Sequence, residues 1–421
     1  MNRMLYVYKS MQNKLQHSWR SSIIFMLIVI MMMALFFSRA VLSVSMMVFV
    51  VACFFHRDIK KHFTAFFSSP LLWGISLLFF LPLLSGLWSD DKKEWMDLLR
   101  IKLPLLFLPL AFAGPIGLSK KKWEWIGYIF IALITASACW SMYHYLSDAA
   151  AINESYLRAK TIVTPLENDH VRFSWLINVA ILLASWFIIE KWKEQKWIAV
   201  LLIMIGTGLI VFLHILAART GLISFYILLA GTAVWLLVNK VKWKYAILLI
   251  IALIALPLIA YKTIPTFQNR VRYIIYDSGF FKKGNYWPQS NDAVRMISLK
   301  AGWNIMQQNA VIGVGWGDVL SNADQWYDNN YPGMLESDKI YPSSEWMMYG
   351  AGCGWPGLFL FTGVMLIPFF VRTNNKLFWW LLNATAAFSF LFDIGLETQF
   401  GVFIYSFIIL WGYKWLNAEK M

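Results

Sequence analysis

Three arginine residues occupy positions that suggest a phosphate-binding site at a membrane surface. Arg219 lies between two long apolar runs with almost no loop, Arg172 directly precedes another apolar run, and Arg295 lies in a long polar segment. An arginine at the centre of a membrane helix costs about 2.5–3.5 kcal/mol, and less near the interface, so Arg219 is expected to have a partner. Guanidinium groups bind phosphate oxygens in pairs and stay charged, and a lipid diphosphate is a natural ligand for several of them on one surface.

Each of these arginines also has a simpler interpretation. Arg219 could extend to the membrane interface, Arg172 could pair with the nearby Asp169, and Arg295 could be solvated. The phosphate interpretation adds a chemical role to binding. In glycosyl transfer from a lipid diphosphate, negative charge builds on the leaving diphosphate, and fixed cations stabilise that transition state.

Few side chains on the same side of the membrane could act as a base. His170 and His214 lie at the ends of apolar runs close to Arg172 and Arg219, and Glu345 lies where the polar segment returns to the membrane. An imidazole or a carboxylate can accept a hydroxyl proton if it lies within hydrogen-bonding distance. No His, Cys or Asp cluster has the spacing of metal ligands, so the sequence predicts no metal site.

The elements that must position these residues are membrane helices. Of the 421 residues, 59% are hydrophobic and 14% are charged, against about 25% charged in soluble proteins. Recurring apolar runs predict an all-α polytopic membrane protein with about twelve transmembrane helices. The predicted spans are Ser21–Phe37, Ala40–Phe55, Leu71–Leu87, Ile101–Phe112, Trp123–Tyr145, Phe173–Ile189, Trp197–His214, Gly221–Val238, Tyr245–Tyr261, Trp355–Val371, Phe378–Phe392 and Val402–Trp415.

One polar segment, Lys262–Tyr341, is far longer than the other connections and separates the ninth and tenth spans. Long loops without a task are uncommon in compact proteins, so we expect this segment to form part of the working site. The chain then divides into nine spans (1–261), a large outer loop (262–342) and three further spans (343–421).

Local signals predict structure inside this segment. A helix is predicted at Asn291–Gln308, with Asn291 or Asp292 as its cap, and another helix begins near Pro342-Ser343-Ser344-Glu345. The run Gly313–Gly317 is interpreted as a sharp turn. It does not fit a phosphate loop, because no strand precedes it and no Lys-Ser/Thr pair follows it.

The distribution of charge predicts the orientation of the chain. Alternate connections hold 20 of the 37 Lys and Arg residues but only 5 of the 23 acidic residues. Short loops rich in Lys and Arg remain in the cytoplasm, so we expect both termini inside and the 262–342 loop outside. The net charge of +14 therefore indicates membrane topology and interaction with anionic lipid, and does not indicate nucleic-acid binding.

Three sequence features together resemble the O-antigen ligase and O-antigen polymerase superfamily, which includes bacterial O-oligosaccharyltransferases. They are Ala218-Arg219-Thr220-Gly221 at the start of a span, the run Arg295…Trp303…Gly313-Val-Gly-Trp-Gly317 late in the large loop, and Ser344-Glu345-Trp346…Gly350…Gly354-Trp-Pro-Gly357 leading into the next span. The resemblance covers about residues 160–400, and the layout of spans extends it to the whole chain.

The resemblance implies a GT-C-like glycosyltransferase of the bacterial inner membrane. Its donor would be a glycan on undecaprenyl diphosphate, used without a metal, cofactor or nucleotide sugar, and the acceptor would be lipid A core, another glycan or a protein hydroxyl. Arg219 and Arg295 would hold the diphosphate, with Arg172 beside them. Membrane lipids would surround the enzyme, and the resemblance implies no nucleic-acid partner.

The chain departs from the family pattern at one position. Many ligases have a His-Asn pair where this chain has Pro342-Ser343-Ser344-Glu345. Glu345 is the first candidate for the base; otherwise His170 or His214 acts from another helix, or the chain is a divergent polymerase. Two further alternatives stay open, a transporter or flippase of lipid-linked glycans and a noncatalytic membrane scaffold.

Overall fold

A computed structural model of the chain describes residues 2–240, 243–282, 286–288 and 290–418. Lys242, Glu419 and Lys420, which belong to the charged connections, lie outside these ranges. The described residues are 83% helical and contain no strand. The predicted all-α polytopic architecture is therefore confirmed.

The described residues form eighteen α-helices and four short 3-10 helices. The α-helices are α1 (Asn2–Phe37), α2 (Arg39–Phe54), α3 (Ile59–Ser68), α4 (Pro70–Ser85), α5 (Lys92–Ala113), α6 (Lys120–Ser147), α7 (Ala149–Ser155), α8 (Pro165–Asn168), α9 (His170–Lys191), α10 (Lys196–Leu216), α11 (Arg219–Val238), α12 (Trp243–Thr263), α13 (Pro265–Lys282), α14 (Asn291–Gln308), α15 (Val319–Asn330), α16 (Glu345–Phe370), α17 (Lys376–Leu391) and α18 (Gln399–Leu416). The 3-10 helices are Tyr156–Arg158, Trp316–Asp318, Glu336–Asp338 and Gly395–Glu397.

All twelve segments predicted as spans are helical, but they differ in length. Seven helices in the described part of the chain are long and apolar enough to cross a membrane alone, and an eighth span is possible if α2 and α3, bent by 112°, count as one. The seven begin at Trp19 within α1 and include α6, α9, α10, α11, α12 and α16. The remaining predicted spans are α4, α5, α17 and α18, which are shorter or less uniformly apolar.

Helix α18 forms the centre of the bundle. Fifteen of its eighteen residues are buried, as expected for a helix that is apolar on all sides. Phe403, Phe407, Trp411 and Trp415 stack along it with ring centroids 5.1, 6.4 and 6.1 Å apart. Helix α18 packs closely against α5, so its N-terminal end is fixed next to the connections that carry the polar residues.

The segment between α12 and α16 is folded and contains α13, α14 and α15. The helix predicted at Asn291–Gln308 is confirmed at those bounds, but its cap was wrong, because Ser290 Oγ accepts the hydrogen bond from Ala293 N at 3.3 Å. Ser290 has the extended backbone of an N-cap, whereas Asn291 is already helical. The helix predicted near residues 342–345 begins at Glu345, with Ser344 as its N-cap residue.

The run Gly313–Gly317 is a sharp turn, as predicted. Gly313 and Gly315 have φ angles of +70° and +90°, and a Cβ atom on Gly313 would lie 2.4 Å from Cys353 N. The amides of Val314 and Gly315 donate to Ala351 O and Gly352 O at 2.9 and 3.0 Å. The turn therefore docks on a break within α16, and its amides are bonded to protein.

Candidate functional site

Arg219 and Arg295, from two separate helices, line one pocket of about 280 Å³. The pocket lies where the first residues of α11 approach α14 and the end of α17. Its walls are mainly apolar, with the two arginines and Asp292 at one side. The full lining is Arg219, Thr220, Ile223, Asp292, Arg295, Met296, Leu299, Ser343, Phe388 and Phe392.

The backbone fixes Arg219 at the mouth of this pocket. Ala217 ends α10 in the left-handed conformation (φ 46°), Ala218 is extended, and Arg219 is the first residue of α11. Arg219 Nη1 lies 2.5 Å from Asp292 Oδ2, and 33% of the arginine side chain is exposed. Asp292 is the partner that an arginine at this depth requires.

Arg295 lies on α14, one turn after Asp292. Its Nη1 donates to the carbonyl oxygen of Phe392 at 3.0 Å, at the end of α17. A guanidinium has five N–H donors in a planar fork, and this is the only hydrogen bond of the Arg295 guanidinium in the described structure. The remaining donors are available to a ligand in the pocket.

Arg172 lies in a neighbouring cavity of about 20 Å³ and not in the arginine pocket. Its guanidinium pairs with Asp169, lies 3.1 Å from Asp393 Oδ2 and donates to Ile394 O at 3.2 Å. Burial raises the pKa of Asp393, and the charge of Arg172 partly opposes this shift. The structure thus brings Arg219 and Arg295 together, whereas Arg172 is held by two carboxylates beside them.

Arg270 is a further cation at the site, and the sequence analysis gave it no role. It is buried on α13, donates to Lys160 O at 2.8 Å and lies 4.7 Å from the ring centre of Tyr156. Burial lowers the pKa of Arg270, the charge of Arg219 lowers it further, and the Tyr156 hydroxyl opposes the shift. Its sequence context, in a polar helix beside a span, is that of an ordinary solvated arginine, so only the fold reveals its proximity to Arg219.

The three candidate bases lie in different environments. His214 is buried, with its ring nitrogens 2.8 Å from Ile210 O and from the Tyr226 hydroxyl. Both nitrogens are therefore engaged within the helix bundle and do not face the pocket. His170, the first residue of α9, is only partly buried and interacts electrostatically with Arg270 and Arg295.

Glu345 is fully buried and, like His170 and His214, it does not line the arginine pocket, although Ser343 does. Its Oε1 accepts a hydrogen bond of 2.5 Å from Leu396 N. Its Oε2 is buried and has no hydrogen-bond partner among the described residues. A carboxylate in this position supports the backbone between α17 and α18.

The turn formed by residues 392–397, which we call the α17–α18 turn, joins the arginines to a buried ion pair. Lys102 Nζ on α5 lies 2.5 Å from Glu397 Oε1 and donates to Leu396 O at 2.9 Å. Trp316 Nε1 donates to Glu397 Oε2 at 3.3 Å, and Lys102 lies 4.8 Å from the Trp316 ring centre. Arg295 and Arg172 bond to carbonyls of the same turn, so the buried pair fixes the backbone on which both arginines rest.

Within the ranges that the structure describes, no three His, Cys, Asp or Glu side chains are grouped as a metal site requires. The charged side chains that line the pocket are instead two arginines and one carboxylate, Asp292, an arrangement suited to an anionic ligand.

A comparison with known families assigns part of the chain. Residues 207–362 match the family model described as O-antigen ligase. The matched segment runs from within α10 to within α16 and includes Arg219, Arg270 and Arg295. No curated protein matches the sequence. This match and the helical membrane fold support the resemblance to the O-antigen ligase superfamily of membrane enzymes.

Proposed function

We propose that this protein transfers a glycan from undecaprenyl diphosphate to a hydroxyl group of an acceptor at the periplasmic face of the bacterial inner membrane. The acceptor would be lipid A core, another glycan or a protein. The observation that carries the proposal is that Arg219 and Arg295 line one pocket whose other walls are mainly apolar. Such a pocket offers cations to a diphosphate and an apolar surface to the first units of a polyprenyl chain.

The proposed reaction is an inverting displacement without a metal ion. The acceptor oxygen forms a bond to the anomeric carbon, and the bond from that carbon to the diphosphate oxygen breaks. The leaving diphosphate keeps the electron pair, and the hydroxyl proton passes to a base. Arg219 and Arg295 would stabilise the charge that develops on the diphosphate, and Arg270 would add to the positive potential at the site.

We propose His170 as the base in preference to Glu345 and His214. His170 is partly exposed and lies within electrostatic reach of Arg270 and Arg295. Glu345 is buried against Leu396, and both ring nitrogens of His214 are engaged. A neutral imidazole that reaches the acceptor hydroxyl is a suitable general base.

A reconstituted transfer assay tests the proposed function. The full-length chain is placed in proteoliposomes with an undecaprenyl-diphosphate-linked glycan and an acceptor, and both glycosylated acceptor and free undecaprenyl diphosphate are measured. Arg219→Ala and Arg295→Ala should each lower kcat/KM by about 100-fold to 1000-fold, the usual loss for a group that stabilises transition-state charge.

The matched control is Arg272→Ala. Arg272 lies on α13 near Arg270, but it is exposed and makes no hydrogen bond or ion pair within the described structure. Its substitution should leave transfer unchanged. Wild-type transfer by a well-folded Arg219→Ala protein would overturn the diphosphate-binding role.

A further inference from the structure

A second cavity, of about 680 Å³, lies at the opposite end of the helix bundle from the arginine pocket. It opens between α3, the start of α4, the end of α16 and the end of α18. Its polar lining includes the side chains of Ser68, Ser69, Arg372, Tyr413 and Lys414. Because α16 and α18 begin near the arginine pocket and end here, the two sites lie at opposite membrane faces.

The two cations in this cavity have no acidic partner. Neither Arg372 nor Lys414 forms an ion pair or a side-chain hydrogen bond in the part of the chain that the structure describes. Lys414 is nevertheless half-buried on α18, and the nearby Arg20 is already bonded to the carbonyl oxygens of Ala52 and Cys53. A half-buried ammonium group without a carboxylate is costly, so an anion is the expected complement.

The surroundings of the cavity favour an anion that carries acyl chains. The wall includes Phe370, whose side chain is 82% exposed and therefore faces the hydrocarbon of a bilayer. Helix α3 leaves α2 at a bend of 112° and carries the exposed Lys60 and Lys61 near the same face. The cavity is thus cationic toward water and apolar toward the membrane, and basic pockets of this kind between membrane helices bind anionic headgroups.

We propose that this cavity binds the phosphate headgroup of an anionic phospholipid from the membrane leaflet on the side of the short basic connections. Lys414 and Arg372 contact the phosphate oxygens, the hydroxyls of Ser69 and Tyr413 donate to them, and an acyl chain lies along Phe370. The site is independent of glycan transfer, since it shares no residue with the arginine pocket.

The proposed ligand is a lipid and not a free anion. A soluble phosphate would use the cations but not the apolar wall, so its affinity should be much lower. A zwitterionic lipid would use the wall, but its own cationic group would oppose Lys414 and Arg372. We therefore expect the cavity to bind phosphatidylglycerol more tightly than phosphatidylcholine and more tightly than glycerol 3-phosphate.

Native mass spectrometry of the full-length protein in detergent tests this order. Phosphatidylglycerol, phosphatidylcholine and glycerol 3-phosphate are titrated separately, and the bound fraction is measured. Lys414→Gln and Arg372→Gln should each weaken phosphatidylglycerol binding by about fivefold, the usual contribution of one cation near an anionic membrane surface. Lys414→Arg should restore binding, which separates loss of the site from loss of the fold.

Lys376→Gln is the matched control, because Lys376 is exposed at the start of α17 on the same face but does not line the cavity. This variant should bind phosphatidylglycerol like the wild type. Equal binding of phosphatidylglycerol and phosphatidylcholine would overturn the proposal, as would equal losses in the Lys376→Gln and Lys414→Gln proteins. Binding of glycerol 3-phosphate as tight as that of the lipid would also overturn it, in favour of a site for a soluble anion.

Discussion

The guanidinium of Arg219 already has a carboxylate partner, so a diphosphate must compete with Asp292 for it. The two groups lie 2.5 Å apart and are both partly exposed, which makes the pair easier to open than a fully buried one. In this interpretation Asp292 keeps Arg219 oriented toward the pocket, and the arriving ligand takes over some of its hydrogen bonds. Removing the carboxylate charge should therefore change the KM for the donor in the opposite direction from removing the guanidinium.

Asp292→Asn should lower the KM for the lipid-linked donor by up to about fivefold, because partly exposed ion pairs contribute at most about 1 kcal/mol. The asparagine can still hydrogen-bond to Arg219, so kcat should change little. Steady-state kinetics in proteoliposomes measure both constants. A KM that rises as it does in Arg219→Ala would show instead that Asp292 is needed to form the site.

The base is a second role that we assign to a single residue, His170. His170→Gln should lower kcat by about 100-fold to 10,000-fold with little change in donor KM, as expected for the loss of a general base. Glu345→Gln keeps a group that can accept from Leu396 N, so its effect on kcat should be smaller. Single-turnover rates of the two variants decide between them. A larger loss in Glu345→Gln than in His170→Gln would reverse the assignment.

At the scale of elements, the α17–α18 turn connects parts of the chain that are remote in sequence. Lys102 and Glu397 are 295 residues apart and almost fully buried, yet their ion pair involves the same turn whose carbonyls bind Arg172 and Arg295. A buried pair contributes little net stability compared with apolar residues, but breaking it leaves a charge without a partner. We therefore regard Lys102 and Glu397 as positioning residues for the arginine pocket.

Lys102→Met should destabilise the protein by about 3–5 kcal/mol, since it leaves the Glu397 carboxylate buried without its cation. The double variant Lys102→Met/Glu397→Leu should recover most of the melting temperature, because both charges are gone. It should still show a raised donor KM, since Leu396 O loses its lysine donor and the turn is less fixed. Thermal unfolding in detergent and donor kinetics test the two effects separately. Equal stability of the single and double variants would contradict this account.

The sequence predicts those features that depend on interactions between residues close together in the chain. The bounds of α14 and the start of α16 are set by local capping and periodicity, and both predictions agree with the structure. The Gly313–Gly317 turn could also be predicted from the sequence, because glycine spacing is a local signal. The Lys102–Glu397 pair was not predicted, since either residue alone has the pattern of an interfacial charge. The proximity of Arg270 to Arg219 was not predicted for the same reason, since its neighbours Lys160 and Tyr156 lie in a connection that is distant in the sequence.

In the whole molecule, the two proposals place the arginine pocket and the cavity lined by Lys414 and Arg372 on opposite sides of the membrane. Helix α11 begins at the arginine pocket and α16 begins two residues after Ser343, which lines it, and connections rich in Lys and Arg lie at the other ends of both helices. Loops of that composition usually stay in the cytoplasm, and on this basis we propose a periplasmic location for the pocket.

Labelling with a membrane-impermeant thiol reagent tests this orientation. In a Cys139→Ala background, which removes the one exposed cysteine among the described residues, Asn330→Cys on α15 and Lys121→Cys on α6 both lie at exposed positions. We expect Asn330→Cys to react in intact spheroplasts and Lys121→Cys to react only after lysis. The reverse pattern would place Arg219 and Arg295 on the cytoplasmic side and contradict transfer at the periplasmic face.

The most direct test of the central claim is a double-mutant cycle on Arg219 and Arg295 with undecaprenyl diphosphate as the ligand. The wild-type protein, Arg219→Ala, Arg295→Ala and the double variant are compared by the Kd for the lipid in detergent. Each single substitution should weaken binding by about tenfold to 100-fold, in the range of hydrogen bonds to charged groups, and the double variant should lose less than the product of the two. Wild-type affinity in either single variant, or losses that simply multiply, would contradict a shared diphosphate site.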